Sequence, residues 1–292
     1  MSVSEYFETF CSNLRMSGGV VERIRKRYHS VVQRINLDYW NSNSDSNHGL
    51  YVGSYGRGTE IWTSDIDILM QLPSGVYEKF DNYSSNGQSA LLQEVKNVLQ
   101  KTYSSSRLRG DGQVVCIDFV DDISFEIVPA FIRNDGSYTY PDTNDGGSWR
   151  VTAPKSEIDA MNKQNIDTNK NLKRLCRMMR AWKEKCNVDM SGILIDTLSY
   201  QFIKDWKYRN KSYSYYDYMS RDFFAYLKDI DESQEYWLAP GSHRRVWKNG
   251  NFQFKADKTY NNALEAIDYE SRNCSYSAKQ KWREIYGTKF PE

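Results

Sequence analysis

The stretch from Tyr51 to Leu72 constrains this chain more than any other. It sets three glycines (Gly53, Gly56 and Gly58) beside the hydroxyl of Ser54, and then places Asp65 and Asp67 one residue apart within an apolar run. In a strand successive side chains alternate faces, so both aspartates project to one side while Ile66 and Ile68 project to the other. Carboxylates held that close repel and raise each other's pKa unless a cation sits between them. Hard divalent cations such as Mg²⁺ take one or two such carboxylates together with substrate phosphates. The Gly-Ser segment supplies the complement, because glycine lets the backbone approach a ligand and N–H groups at a turn or helix start cradle anions. Metal and cradle together point to a nucleoside triphosphate. The competing reading makes the aspartates the solvent face of an amphipathic strand and the glycines turn punctuation.

Composition narrows the class. The chain has 292 residues, enough for one large or two medium domains, and its 22 Tyr and 8 Trp argue for globular order. A formal net charge of +1 leaves no global field for a polyanion, so no long nucleic acid is expected as partner. The five cysteines (Cys11, Cys116, Cys176, Cys186 and Cys274) are scattered without a Cys-x-x-Cys pair, and the three histidines are isolated. Neither a disulfide framework nor a zinc site is suggested. No apolar run has the length of a membrane span and the N-terminus lacks a signal-peptide core, so a cytoplasmic enzyme is expected.

Periodicity places the motifs. Helices are predicted over Val3–Leu14, about Val20–Tyr39, and Ser89–Tyr103 with Ser89 as N-cap. Strands are predicted over the central motif, Val114–Val120 and Ile123–Ile132, with Ser137–Tyr140 as a hairpin partner after the Asn134-Asp135-Gly136 turn; residues 77–88 read as polar turns. The second half reads as helices over Lys170–Lys185, Met190–Trp206, about Asp222–Asp229, about Asn261–Ser271 and Ser275–Gly287, with Asn249-Gly250 as a hairpin turn. The basic face of the second helix is read as solvated, with a partner or phosphate surface as the alternative, and in Lys170–Lys185 Lys170, Lys173, Arg174, Arg177 and Arg180 flank the apolar face.

A third carboxylate is needed beside Asp65 and Asp67 if two metal ions are to clamp the attacking and leaving oxygens. Glu126, between Phe125 and Ile127, and Asp118, between Ile117 and Phe119, are the candidates.

Gly-Ser followed by Asp-x-Asp resembles the signature of the DNA polymerase β-like nucleotidyltransferases. Phe-Glu-Ile-Val-Pro-Ala-Phe at 125–131 is similar to the Phe-Asp-Val-x-Pro-Ala-Phe strand of oligoadenylate synthases and of the bacterial cyclic GMP-AMP-synthase-like nucleotidyltransferases, the CD-NTases, with Glu126 in place of the usual aspartate. Leu175–Lys183 and Ser191–Asp196 resemble the two following helices of that family, with Arg180 where lysine is common, and Trp282–Pro291 resembles the bacterial terminus. The resemblance implies an α+β, bilobed enzyme: a polymerase β-like core with a small mixed sheet over residues 1–160 and a helical lobe over 161–292, with the cleft between them. It implies synthesis of cyclic di- or trinucleotides in bacterial anti-phage signalling (CBASS), with Asp65, Asp67 and Glu126 on two Mg²⁺ (Mn²⁺ substituting) and Gly53, Ser54, Arg180 and Ser191 on the triphosphate. Nucleoside triphosphates are the expected substrates, a regulatory protein a possible partner, and a monomer the expected state. The alternative is a nucleotidyltransferase acting on an RNA, protein or antibiotic acceptor.

Overall fold

The structure is a computed structural model that describes residues 2–62 and 65–292. In chain order its elements are α1 (Val3–Asn13), α2 (Gly18–Tyr39), β1 (Gly49–Tyr51), α3 (Gly53–Arg57), β2 (Asp65–Gln71), α4 (Ser74–Asp81), α5 (Gly87–Gln100), β3 (Arg107–Asp111), β4 (Val114–Asp118), β5 (Ser124–Ile132), β6 (Tyr138–Asp142) and β7 (Ser148–Thr152). There follow α6 (Pro154–Asp167), α7 (Asn171–Cys186), α8 (Gly192–Asp205), α9 (Tyr216–Lys228), β8 (Tyr236–Leu238), β9 (Arg245–Trp247), α10 (Phe252–Ser271) and α11 (Ser275–Tyr286). They divide into two compact units, one of Met1–Met16, Arg57–Trp62 and Ser156–Glu292, the other of Ser17–Gly56 and Thr63–Lys155.

The unit built from Ser17–Gly56 and Thr63–Lys155 holds a mixed sheet in the order β1-β2-β5-β4-β3, with β6 pairing the far end of β5 and β7 pairing β6. β2 and β5 run parallel, and the other pairings are antiparallel. The alternation in β2 is satisfied as its sequence demands: Ile66, Ile68 and Met70 are fully buried, whereas Asp65 is exposed and Asp67 half-buried. Phe125 and Ile127 repeat the pattern in β5. Each such side chain removed from water contributes about 1.5–3 kcal/mol, which pins the register, since a one-residue slip would exchange the two faces. α5 lays Leu91, Leu92, Val95 and Leu99 into the core and packs on β3, β4, β6 and α2.

The other unit is helical, around a core that includes Trp182, Trp282, Phe7, Tyr216 and Phe290. α1 belongs to it. The Phe7 ring meets Trp282 edge-on at 5.2 Å and Phe290 at 5.3 Å.

Local structure departs from the sequence expectation in several places. Part of the stretch read as polar turns is helical, because α4 buries Phe80 and sets the Tyr77 ring on Phe131 and Trp149, contacts too distant in sequence to show as periodicity. The N-cap of α5 is Asn86, whose side chain accepts from the Ser89 N–H at 2.9 Å; Ser89 lies inside the helix. Asn249-Gly250 is no hairpin turn: β9 pairs with β8, which precedes it, and Asn251 caps α10 through the Phe254 N–H. Strands β3 and β7, not foreseen, complete the sheet edges.

Candidate active site

Parallel pairing of β2 with β5 brings the candidate carboxylates together. Asp67 is the register partner of Glu126, and Asp65 that of Ser124, so Asp65, Asp67 and Glu126 share one face on neighbouring strands. The Ser124 Oγ donates to the Asp65 Oδ1 at 2.7 Å. Burial first, and then the charges of Asp67 and Asp65, raise the Glu126 carboxyl above its ordinary range. Asp118 sits one strand further out on β4, opposite Ser124, and is ion-paired with Arg109. The residue opposite Glu126 on β4 is Cys116, whose thiol is pushed up to about 11, chiefly by burial.

The glycine segment closes on the same row. The Val52 N–H donates to the Asp67 carbonyl at 2.9 Å, and Gly53, at φ +59°, brings its Cα against the Asp67 carboxylate. A Cβ built on Gly53 would lie 1.7 Å from the Asp67 Oδ2. Only glycine accepts both that φ and that approach. Ser54 follows at the first turn of α3, half-buried.

The donor set suits a hard divalent cation, with three carboxylates on one face of two paired strands and no imidazole or thiolate among them. As the side chains stand, no three His, Cys, Asp or Glu groups among the described residues converge to metal-holding geometry. Asp65 is held on Ser124 instead.

Arg180 and Ser191 lie in the helical unit, each already engaged there. Arg180 is buried and grips Asp196 with both ends of its fork, Nη1 to Oδ1 at 2.6 Å and Nη2 to Oδ2 at 3.0 Å, while Nη2 also donates to the Gly192 carbonyl at 3.1 Å. Ser191 caps α8, its Oγ accepting from the Leu194 N–H at 3.3 Å. Asp196 is fully buried and is shared with Arg57 Nε at 2.9 Å and the Thr59 hydroxyl at 2.8 Å. Burial alone would push its carboxyl up; the Arg180 and Arg57 guanidiniums outweigh that and hold it at about 2. In the sequence Asp196 stands only at the end of the Ser191–Asp196 motif, and Arg57 carries no motif role of its own. Nothing local marks either one, and their pairing spans 139 residues.

A mixed sheet carrying paired carboxylates beside a Gly-Ser turn, followed by a helical unit, is the architecture of the polymerase β-like nucleotidyltransferases. The chain belongs to the Second Messenger Oligonucleotide or Dinucleotide Synthetase family, whose model matches residues 1–165. It is 26% identical over 174 residues to a probable cyclic nucleotide synthase of Bacillus cereus, a match covering 57% of this chain and 51% of that protein. The chain thus matches about half the length of that curated relative. Among solved structures it resembles Escherichia coli CdnC in complex with a HORMA protein (TM-score 0.72, 14% identity, 99% and 98% of the two chains). It also resembles Bradyrhizobium diazoefficiens CdnG in complex with GTP (TM-score 0.65, 10% identity, 98% and 95%) and Vibrio cholerae DncV (TM-score 0.62, 16% identity, 99% and 87%). Among the described residues no helix is long and apolar enough to cross a membrane.

Proposed function

We propose that this protein joins nucleoside triphosphates into a cyclic di- or trinucleotide for bacterial anti-phage signalling, releasing one pyrophosphate with each phosphodiester formed. The observation that carries the reading is the row in which Gly53 meets the Asp67 carboxylate and Asp67 meets Glu126 in register. Family membership and the cyclic nucleotide synthase of B. cereus support the same reaction class.

Asp65, Asp67 and Glu126 would hold Mg²⁺ or Mn²⁺. Bound there, two such ions supply charge neutralisation at the reacting phosphate and acidify the attacking hydroxyl. The chain's own residues position the reactants. Gly53 leaves room for the Asp67 carboxylate, the Ser54 hydroxyl and neighbouring N–H groups donate to the phosphate oxygens, and Ser124 orients Asp65. A ribose 2′- or 3′-oxygen forms its bond to the α-phosphorus as the bond to pyrophosphate breaks, and rebinding of the linear product permits the second transfer that closes the ring. Catalysis of this kind is positioning and charge neutralisation. Arg180 and Ser191 are assigned to the triphosphate on the family resemblance alone. A regulatory protein partner is proposed by analogy with the complex of CdnC, and the cytoplasm as the place of action because the substrates are there.

The test is incubation of the purified protein with labelled ATP, GTP, CTP and UTP, singly and together, with Mg²⁺ or Mn²⁺, followed by phosphatase treatment and mass analysis. A phosphatase-resistant product of cyclic di- or trinucleotide mass, absent with Asp67→Asn, is expected. Nucleotide transfer only on addition of an RNA, protein or antibiotic acceptor would replace this reading with the acceptor-dependent one.

A further inference from the structure

The helical unit contains a second concentration of charge. Between α1, the start of α7 and the segment leading into α9 lies a pocket of about 430 Å³, a volume suited to a small molecule. Five cations line it, Arg15, Lys170, Lys173, Arg174 and Arg177, against the single carboxylate of Glu8. In a chain whose net charge is +1, that clustering is local and sharp.

These cations are not a merely solvated face. Lys173 and Arg174 are half-buried, and the Arg177 side chain is only 13% exposed. Burying charge is costly unless it is paired. Yet among the described residues only Arg177 has a carboxylate partner, Glu60 at 3.5 Å; Arg15, Lys170, Lys173 and Arg174 have none. Arg174 donates instead to the Asn169 carbonyl and the Tyr216 hydroxyl, both at 3.3 Å, with its guanidinium 4.7 Å above the Tyr213 ring. Lys173 donates to Asn162 at 2.5 Å. Burial, and then the charge of Arg177, lower the Lys173 pKa.

We propose that this pocket binds a small oligophosphate, free or carried by a nucleotide, at a site of its own. Arginine forks match phosphate oxygens bidentately and the lysines act as point charges. So many cations around one small volume exceed what a single carboxylate could neutralise, which selects a ligand with adjacent phosphates. A volume of about 430 Å³ favours a small molecule over an extended polyanion.

The experiment is calorimetric titration of the full chain with inorganic tripolyphosphate, and separately with ATP, in EDTA so that no divalent ion recruits phosphate to Asp65, Asp67 and Glu126. Binding is expected, weakening as salt is added. Comparable affinities for the two ligands would assign recognition to the phosphates, and tighter binding of ATP would identify a nucleotide as the carrier. The double variant Arg15→Gln/Lys170→Gln removes two exposed cations that make no ion pair, so the fold survives; it should weaken binding about tenfold per cation removed, whereas Asp67→Asn should leave it unchanged. No binding of either ligand, or full affinity in the double variant, would overturn the proposal.

Discussion

Asp67 and Glu126 stand opposite one another on two parallel strands, while Asp118 lies a further strand away and is bound to Arg109. Two of these three residues therefore belong to one charge cluster. Asp67→Asn and Glu126→Gln should each reduce nucleotide joining by about three orders of magnitude, equivalent to several kcal/mol of lost charge stabilisation. Asp118→Asn should keep turnover within the same order as the parent. Pyrophosphate release measures all three, and an inactive Asp118→Asn beside an active Glu126→Gln would exchange their roles.

Gly53 tests the cradle. Gly53→Ala combines a positive φ with a Cβ 1.7 Å from the Asp67 Oδ2, so it should cost about 1–2 kcal/mol of stability from the backbone and displace the carboxylate as well. Turnover should fall at least as far as stability explains. Gly75 in α4 is the control: nothing lies within 4 Å of its Cβ position and its φ is ordinary. Gly75→Ala should be neutral, or stabilising by up to about 1 kcal/mol. Urea denaturation with activity at matched folded fraction separates the two effects.

Asp196 makes stability depend on acid. Its folded pKa of about 2 lies below the ordinary aspartate value, so the stability it contributes is fully present above about pH 4. That contribution, about 2 kcal/mol, is lost as pH falls from 4 towards 2. Asp196→Asn should flatten this part of the pH–stability curve. It should also cost about 3–5 kcal/mol at pH 7, because Arg57 and Arg180 would remain buried without their shared carboxylate. Thermal melts of both proteins from pH 2 to 7 give both numbers.

Phe7 tests the attachment of α1. It is fully buried among Phe10, Tyr216, Trp282 and Phe290. Phe7→Ala should cost about 3–5 kcal/mol in the unfolding of the helical unit, read by the fluorescence of its buried tryptophans.

Residues close together in sequence determined a good deal. The alternation Asp65-Ile66-Asp67-Ile68 placed two carboxylates on one face because strand geometry repeats every second residue, and Leu172, Leu175, Cys176, Met179 and Trp182 marked α7 because helix geometry repeats near every third and fourth. The same local rules failed at α4 and at Asn249-Gly250, where the deciding contacts, Tyr77 on Phe131 and β9 on β8, come from other elements. Only the tertiary structure decided which acidic residue stands beside Asp67, since strand register is set by the packing of Ile66, Ile68, Phe125 and Ile127 in a common core. It alone showed Arg180 locked on Asp196, Gly53 pressed against Asp67, and Arg15, Lys173 and Arg174 gathered round one pocket. The reason is physical: local periodicity needs only the chain's own geometry, whereas the meeting of charges from distant segments depends on how buried surfaces are matched, and no short window of sequence contains that information.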